Sequence, residues 1–449
     1  MNTSMSLFYR AFGLTLLLLP VCGYAQVVDQ YFPAMGTGAG ELSEEPAQIR
    51  ATQAYQPLGA RWGPLSVHAD GAEGIGYSSN VDLLPQTIHR SASIDTQGHV
   101  GVVAMFEHDN QAHADISVDD TRYPSRSLQN RTTWNASVGA THHFGRDELG
   151  VSFTHLSLVQ MPTESGALIL VGPVPYNLDD GRISYLIQTH GRISFIPEIN
   201  VQHYYFGTPS IVNNPLTYVN QSYRDRVIVN EGFTARYEIL KNSHLLFLAR
   251  GTQISYGSAQ ISSSSSDQGF PTRNSNGFSV LGGYDSNEAG PIRFRAVVGY
   301  QLRAYSAALY ERVTSPIAEA SLRWEPTRLT SAVVSVTHGI EDSAFESVLG
   351  YTNTQAQLTV THAFARNIVF GFHSEVRQAS YPSTSSKLAG TPIYQQAHNQ
   401  NMYGFGINGT FYLNRHISLS LSYDYSSQSA YLGPMFPVHV VQGVVHFAL

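Results

Sequence analysis

Arginines spaced two apart are the residues of this chain best suited to chemistry. Arg224 and Arg226 form one such pair and Arg293 and Arg295 another, with Arg236, Arg303, Arg323 and Arg377 on related stretches. In an extended segment residues i and i+2 share a face, so each pair sets two guanidinium groups side by side. Like charges at that spacing repel unless something anionic sits between or beside them. The guanidinium fork suits carboxylate and sulfate groups in particular. Upstream, His68 and Asp70, then His113, Asp115, Ser117 and Asp119, repeat the two-residue spacing with acidic groups. A wall with Asp early and Arg in the middle would set a transverse field across a channel. The alternative is that these charges pair across neighbouring strands and only stabilise the wall.

Signatures of catalysis are weak. The chain has no GxSxG, no HExxH and no phosphate-cradling Gly-Lys-Ser/Thr loop. His142 and His143 are adjacent, so on a strand they point to opposite faces and cannot share one ion without a bulge. The 18 histidines are spread over many segments and read as polar wall residues. The sequence therefore indicates no enzyme, no metal and no cofactor. A formal net charge of −7 argues against nucleic acid as a partner. Lys241 and Lys387 are the only lysines, so the other basic groups are all Arg. A genome-wide codon preference for Arg accounts for that equally well.

The elements that must carry these side chains have a period of two. Residues 292–303 alternate, with Ile292, Phe294, Ala296, Val298, Tyr300 and Leu302 on one face and Arg293, Arg295, Gln301 and Arg303 on the other. By the same alternation Arg224, Arg226, Asn230, Thr234, Arg236 and Glu238 share a face. So do Glu319, Ser321 and Arg323, and likewise His373, Glu375 and Arg377. The end of the chain has the cleanest pattern. Ile417, Leu419, Leu421, Tyr423 and Tyr425 oppose Ser418, Ser420, Ser422 and Asp424. The last run then sets Val441, Gly443, Val445, Phe447 and Leu449 on one face. A strand that ends the chain has no later strand to shield it, and pairing with the first strand would close a barrel and remove both edges.

Period-two runs begin near Leu65 and come in pairs. Short turns fall near residues 108–110, 145–147, 190–192, 241–243, 287–290, 325–327, 364–367 and 414–415. Longer connections fall near 78–86, 123–130, 161–177, 207–222, 257–273, 305–313, 341–346, 381–399 and 428–437. Short turns at one end and long polar loops at the other are the mark of an outer-membrane barrel. The fold class expected is all-β, a transmembrane antiparallel barrel of about 18 strands (16–18) with both chain ends in the periplasm. A basic group facing lipid costs ~2–4 kcal/mol at the midplane, so the charged faces are assigned to the lumen. Low charge (13%), 26 Tyr and 38 Gly suit many short strands with tight turns. A mean hydropathy of −0.14 is no objection, because lipid-facing and water-facing residues alternate.

Residues 1–25 read as a secretory signal, with Arg10 as the positive flank, an apolar run over 11–19 and a small-x-small site at Gly23-Tyr24-Ala25. Cys22, the only cysteine, lies inside it, and Val21 before it is too large for a typical lipid-attachment signal. Cleavage after Ala25 would leave a cysteine-free exported chain with no disulfide frame. Residues 26–60 form an irregular periplasmic tail, and 61–449 the transmembrane barrel.

The stretch QPLGARWGPLSVHADGAEGIGYSSNV at residues 56–81 resembles the β-barrel porins of the type 2 family encoded beside exopolysaccharide genes. Their barrel entrance has a Pro-x-Gly-x-Arg-x-Gly stretch and a strand ending in Gly-Tyr-x-x-Asn-Val. Pro57, Gly59, Arg61, Gly63, Gly76, Tyr77, Asn80 and Val81 match these. RVIVNEGFTARYEI, ASLRWEPTRLTSAVVSVTHGIED and FYLNRHISLSLSYDYSSQS follow in the same order. One departure is the terminal Leu449 where an aromatic is usual; Phe447 stands near it. The resemblance implies an outer-membrane pore tied to polysaccharide secretion, embedded in outer-membrane lipid and placed there by the barrel-assembly machinery. Periplasmic polysaccharide-synthesis or export proteins would be its partners. The expected substrate path comprises Arg224, Arg226, Arg236, Arg293, Arg295, Arg303, Arg323 and Arg377 with Asp70, Asp115 and Asp119. A general or sugar-selective diffusion porin and a closed structural or adhesive barrel are the alternatives.

Overall fold

In the computed structural model the described residues are 52–84, 88–161, 172–207, 210–211, 214–218, 221–257, 272–286, 291–308, 310–342, 350–381, 399–429 and 435–449. The expected signal, most of the tail, the turn at 287–290 and much of several long loops lie outside them. The first strands are β1 (Ala60–Trp62), β2 (Leu65–Ser78), β3 (Ser91–Met105), β4 (Gln111–Arg122) and β5 (Arg131–Phe144). Next come β6 (Asp147–Gln160), β7 (Val174–Gln188), β8 (Ile193–Phe206), β9 (Ser210–Ile211), β10 (Asn214–Tyr218) and β11 (Arg226–Leu240). Then follow β12 (Ser243–Tyr256), β13 (Ser275–Ser286), β14 (Ile292–Tyr305), β15 (Val313–Thr327) and β16 (Thr330–Asp342). The last are β17 (Gly350–Ala365), β18 (Ile368–Ser380), β19 (Gln400–Tyr412), β20 (Ile417–Ser429) and β21 (Met435–Ala448).

Among the described residues, 18 strands, β2 to β8 and β11 to β21, pair antiparallel with their neighbours in order. β21 pairs with β2 from Asp70↔Ala448 to Ser78↔Val440 and closes the barrel. Closure leaves no edge strand to satisfy, which is the condition for a sheet to stand in lipid. The short β1 folds back on the start of β2, and β9 and β10 form a small hairpin in the connection after β8. Neither was legible in the alternation, because strands of two to five residues have little period to show.

The turns at one end are short for local reasons. Gly145 (φ 70°) and Asn242 (φ 59°) take the left-handed backbone that two-residue hairpin loops require, and both residue types tolerate it well. At the other end the first two long loops are tied together. Asp82, 2% exposed, receives His89 Nδ1 at 2.6 Å, Arg126 Nε at 3.1 Å and Gln129 Nε2 at 3.3 Å. The carboxylate thus joins the β2–β3 connection to the β4–β5 connection.

Alternation assigns the faces as expected. On β14, Ile292, Phe294, Val298 and Tyr300 are exposed outward, while Arg293, Arg295, Val297 and Arg303 are buried inward. The outer face does carry some polar groups. His155 and Asp179 pair across β6 and β7 at 2.6 Å on the side of Val151, Phe153 and Ile183. Glu73 accepts from Thr96 at 3.1 Å, and Glu231 lies in register with Ile199 and Gly251.

Candidate functional site

Every residue of the expected path within the strands turns to the inner face of the barrel, and Arg224 joins them from a 3-10 turn (Ser222–Arg224) just before β11. Arginine is concentrated on one part of the inner wall. On β2 to β4 it carries His68, Asp70, Asp95, His99, His113, Asp115 and Asp119. His99 Nδ1 lies 2.9 Å from Asp70 Oδ1. Ser93 donates to Asp95 at 2.8 Å, and Ser137 donates to Asp115. On β11 to β15 the wall carries Arg226, Arg236, Arg250, Arg293, Arg295, Arg303 and Arg323 together with the carboxylates Glu238, Asp285 and Glu319.

Exposure varies along the wall, and Asp95 on the acidic stretch is only 7% exposed. Asp70 has 42% of its side chain exposed. Arg236, Arg293, Arg295, Arg303 and Arg377 are between 2% and 8% exposed. The arginines are held in a packed network. Arg303 pairs with Asp342 at 2.5 Å, Arg250 with Glu319 at 2.6 Å and Arg377 with Glu375 at 2.7 Å. Arg182, one strand pair away, meets Glu198 at 3.2 Å. Arg236, Arg293, Arg295 and Arg323 also make polar or electrostatic contacts. The structure thus brings the arginines together with carboxylates of the same strand (Arg377), the adjacent strand (Arg182) or a strand beyond the next (Arg303 and Arg250), which is the pairing alternative at several positions.

The lumen is not polar throughout, which corrects the simplest reading of the alternation. Leu156, Leu158, Tyr176 and Leu178 form a buried cluster on the inner face of β6 and β7, with Tyr204 and Phe206 of β8 against it. Leu246, Leu248, Leu281 and Val297 form another across β12 to β14. A period of two fixes the side of the wall but not the polarity inside, because a filled part of the lumen can pack like a core. The first cluster is layered toward the lumen. Tyr176 stacks on Phe206 at 5.3 Å, and the guanidinium groups of Arg224 and Arg226 lie over Phe206 and Tyr204 at 3.9 and 4.2 Å.

The turn Gln53–Tyr55 sits at the opposite, short-turn end. Tyr55 packs against the inner-face residues Ala363, Val369 and Tyr412, and Arg415 donates to the Ala54 carbonyl at 2.9 Å. The part of the tail nearest the barrel is therefore docked into that mouth. Among the described residues no group of His, Cys, Asp and Glu is arranged to hold a metal ion. Sequence reasoning missed Asp82, Arg250, Tyr256, Tyr305 and Asp342. Arg250 follows from the same alternation along β12; Asp342 ends its strand, where no periodicity marks it.

Compared with protein families, residues 53–445 match the model described as "Putative beta-barrel porin 2". The chain belongs to that family. Membership and closed barrel together make it a porin-type barrel of the outer membrane. No curated protein matches the sequence. Among solved structures it is similar to the copper transporter OprC, with 10% identity, TM-score 0.44 and coverage of 87% of this chain and 81% of that one. It is also similar to Pseudomonas aeruginosa OccK2 (OpdF) in complex with glucuronate, with 11% identity, TM-score 0.43 and coverage of 88% and 99%. The FrpB iron transporter from Neisseria meningitidis gives 8% identity, TM-score 0.42 and coverage of 80% and 63%.

Proposed function

We propose that this porin-family barrel is the outer-membrane passage for a secreted polysaccharide. The observation that carries the reading is the uneven inner wall, with carboxylates and no arginine on β2 to β4 and arginines, some of them paired with carboxylates, on β11 to β15. A purely structural barrel has no need of such an asymmetry. A conduit gains from it, because hydrated hydroxyl-rich chains meet many weak contacts and no single tight one. The path proposed runs past Arg224, Arg226, Arg236, Arg293, Arg295, Arg303, Arg323 and Arg377 on one side and Asp70, Asp115 and Asp119 on the other. The polymer itself is proposed from the likeness of residues 56–81 to porins encoded beside exopolysaccharide genes. A periplasmic synthesis or export protein would deliver the chain at the mouth where Tyr55 docks.

Two measurements test this. The refolded barrel in a planar bilayer should show single-channel conductance. Deletion of the gene should abolish surface polysaccharide while polymer accumulates in the periplasm. A conducting barrel whose loss leaves surface polysaccharide intact would leave a general diffusion porin. A barrel that never conducts would be a closed structural one.

A further inference from the structure

Beneath the long-loop end of the lumen three arginines gather around one carboxylate, Asp342, and a fourth, Arg224, lies beside them. Arg226 and Arg303 both approach Asp342, at 3.3 and 2.5 Å. Arg224 lies over the Phe206 ring and donates to Gln160 at 2.8 Å. Arg273 lies over the Tyr256 ring at 4.8 Å, within electrostatic reach of Asp342. Asp225, nearby in sequence, accepts from the Phe206 amide at 2.7 Å. With Arg273 left aside, because it makes a further contact of its own, Arg224, Arg226 and Arg303 still outnumber Asp342 and Asp225.

A second observation is independent of charge. Several hydrogen-bond donors here have no acceptor. The hydroxyls of Tyr256 and Tyr305 are buried without a partner, and so is the amide nitrogen of Gln221. Arg226 Nε lies near Asp342 but lacks hydrogen-bond geometry to it. Tyr256 is 6% exposed and Gln221 is fully buried. Donors without acceptors, in a cluster with surplus positive charge, call for a ligand that is acceptor-rich and anionic. Arg226 and Asp342, each with 12% of the side chain exposed, form the edge by which such a group would enter from the lumen.

We propose that this cluster binds the anionic substituent of an acidic sugar residue, a carboxylate or a sulfate, on its way through the barrel. The inference rests on the reading of the barrel as a polysaccharide passage and adds that the polymer is acidic. The Tyr256→Phe, Tyr305→Phe double variant tests it. Both hydroxyls are unbonded in the free barrel, so their removal keeps the rings and sacrifices no native hydrogen bond.

Calorimetry on the detergent-solubilised barrel would use trigalacturonate, a sulfated trisaccharide and neutral maltotriose. Tighter binding of trigalacturonate than of maltotriose, by about tenfold, supports a carboxylate site. The same preference for the sulfated sugar alone supports a sulfate site. The double variant should weaken the preferred acidic sugar about tenfold and leave maltotriose unchanged. Equal binding of all three sugars, or a double variant that binds like the wild type, overturns the proposal. Conductance of the same sample separates the two readings. A conducting barrel indifferent to sugar charge removes only the acidic site. A barrel that binds trigalacturonate and carries no current keeps the site and refutes the passage.

Discussion

Single residues show how strictly the membrane sorts side chains. Val298 is 63% exposed, lies at the centre of β14 and faces away from the lumen. Its neighbour Val297, fully buried, faces inward. Val298→Arg should cost ~2–4 kcal/mol, the penalty of a basic group at the midplane, whereas Gln301→Ala on the inner face should leave assembly intact. The measurement is the fraction of chains in the heat-modifiable folded form on cold gel electrophoresis. Equal yields for both variants would show the faces to be misassigned. Among the polar groups on the outer wall, His155 and Asp179 are in direct contact at 2.6 Å. Direct contact lets each group satisfy the other, which lowers the cost of leaving water.

At the scale of elements, β13 and β14 are the most constrained pair. Gly283 is in register with Val297, and Gly299 with Leu281. A Cβ added at Gly299 would overlap the backbone carbonyl of Val280, and one at Gly283 would overlap that of Ala296. These glycines permit a close approach of two strands, a backbone requirement that no flexible side chain can relieve. Arg250 of β12 and Glu319 of β15 meet at 2.6 Å across these two strands. Gly299→Ala should therefore slow or prevent barrel assembly, while Gly443→Ala, whose added Cβ meets nothing within 4 Å, should not. Refolding yield into detergent micelles compares them. Indistinguishable yields would mean that the β13–β14 contact relaxes without cost.

For the whole molecule the uneven inner wall makes a statement about ions. The arginines of β14 are at most 8% exposed, and Asp70 is 42% exposed along its side chain. A charge facing the aqueous path acts on a passing ion with less intervening protein than one locked into a wall. Asp70→Asn with Asp115→Asn should thus move the reversal potential toward anion selectivity more than Arg293→Ala with Arg295→Ala moves it toward cations. Reversal potentials in a salt gradient read both. A larger shift from the arginine pair would put those guanidinium groups on the path itself.

Alternation alone determined much of this. It placed Ile417, Leu419 and Leu421 outside and Ser418, Ser420 and Asp424 inside, and the turn spacing gave strands enough to close on β2. Side-chain direction in a strand depends only on parity, which is a property of local sequence. It also put Arg293, Arg295 and Arg303 on the inner face. What those arginines meet there depended on tertiary structure. Arg303 finds Asp342 from a strand 39 residues away, and Arg250 finds Glu319 69 residues away. Partners so distant are set by register and by curvature around the barrel, neither of which leaves a mark in a single strand. The inward Leu156, Leu178, Leu246 and Leu281 belong to the same class. Parity gives a residue its side of the wall; only the closed barrel decides whether water or another side chain is waiting there.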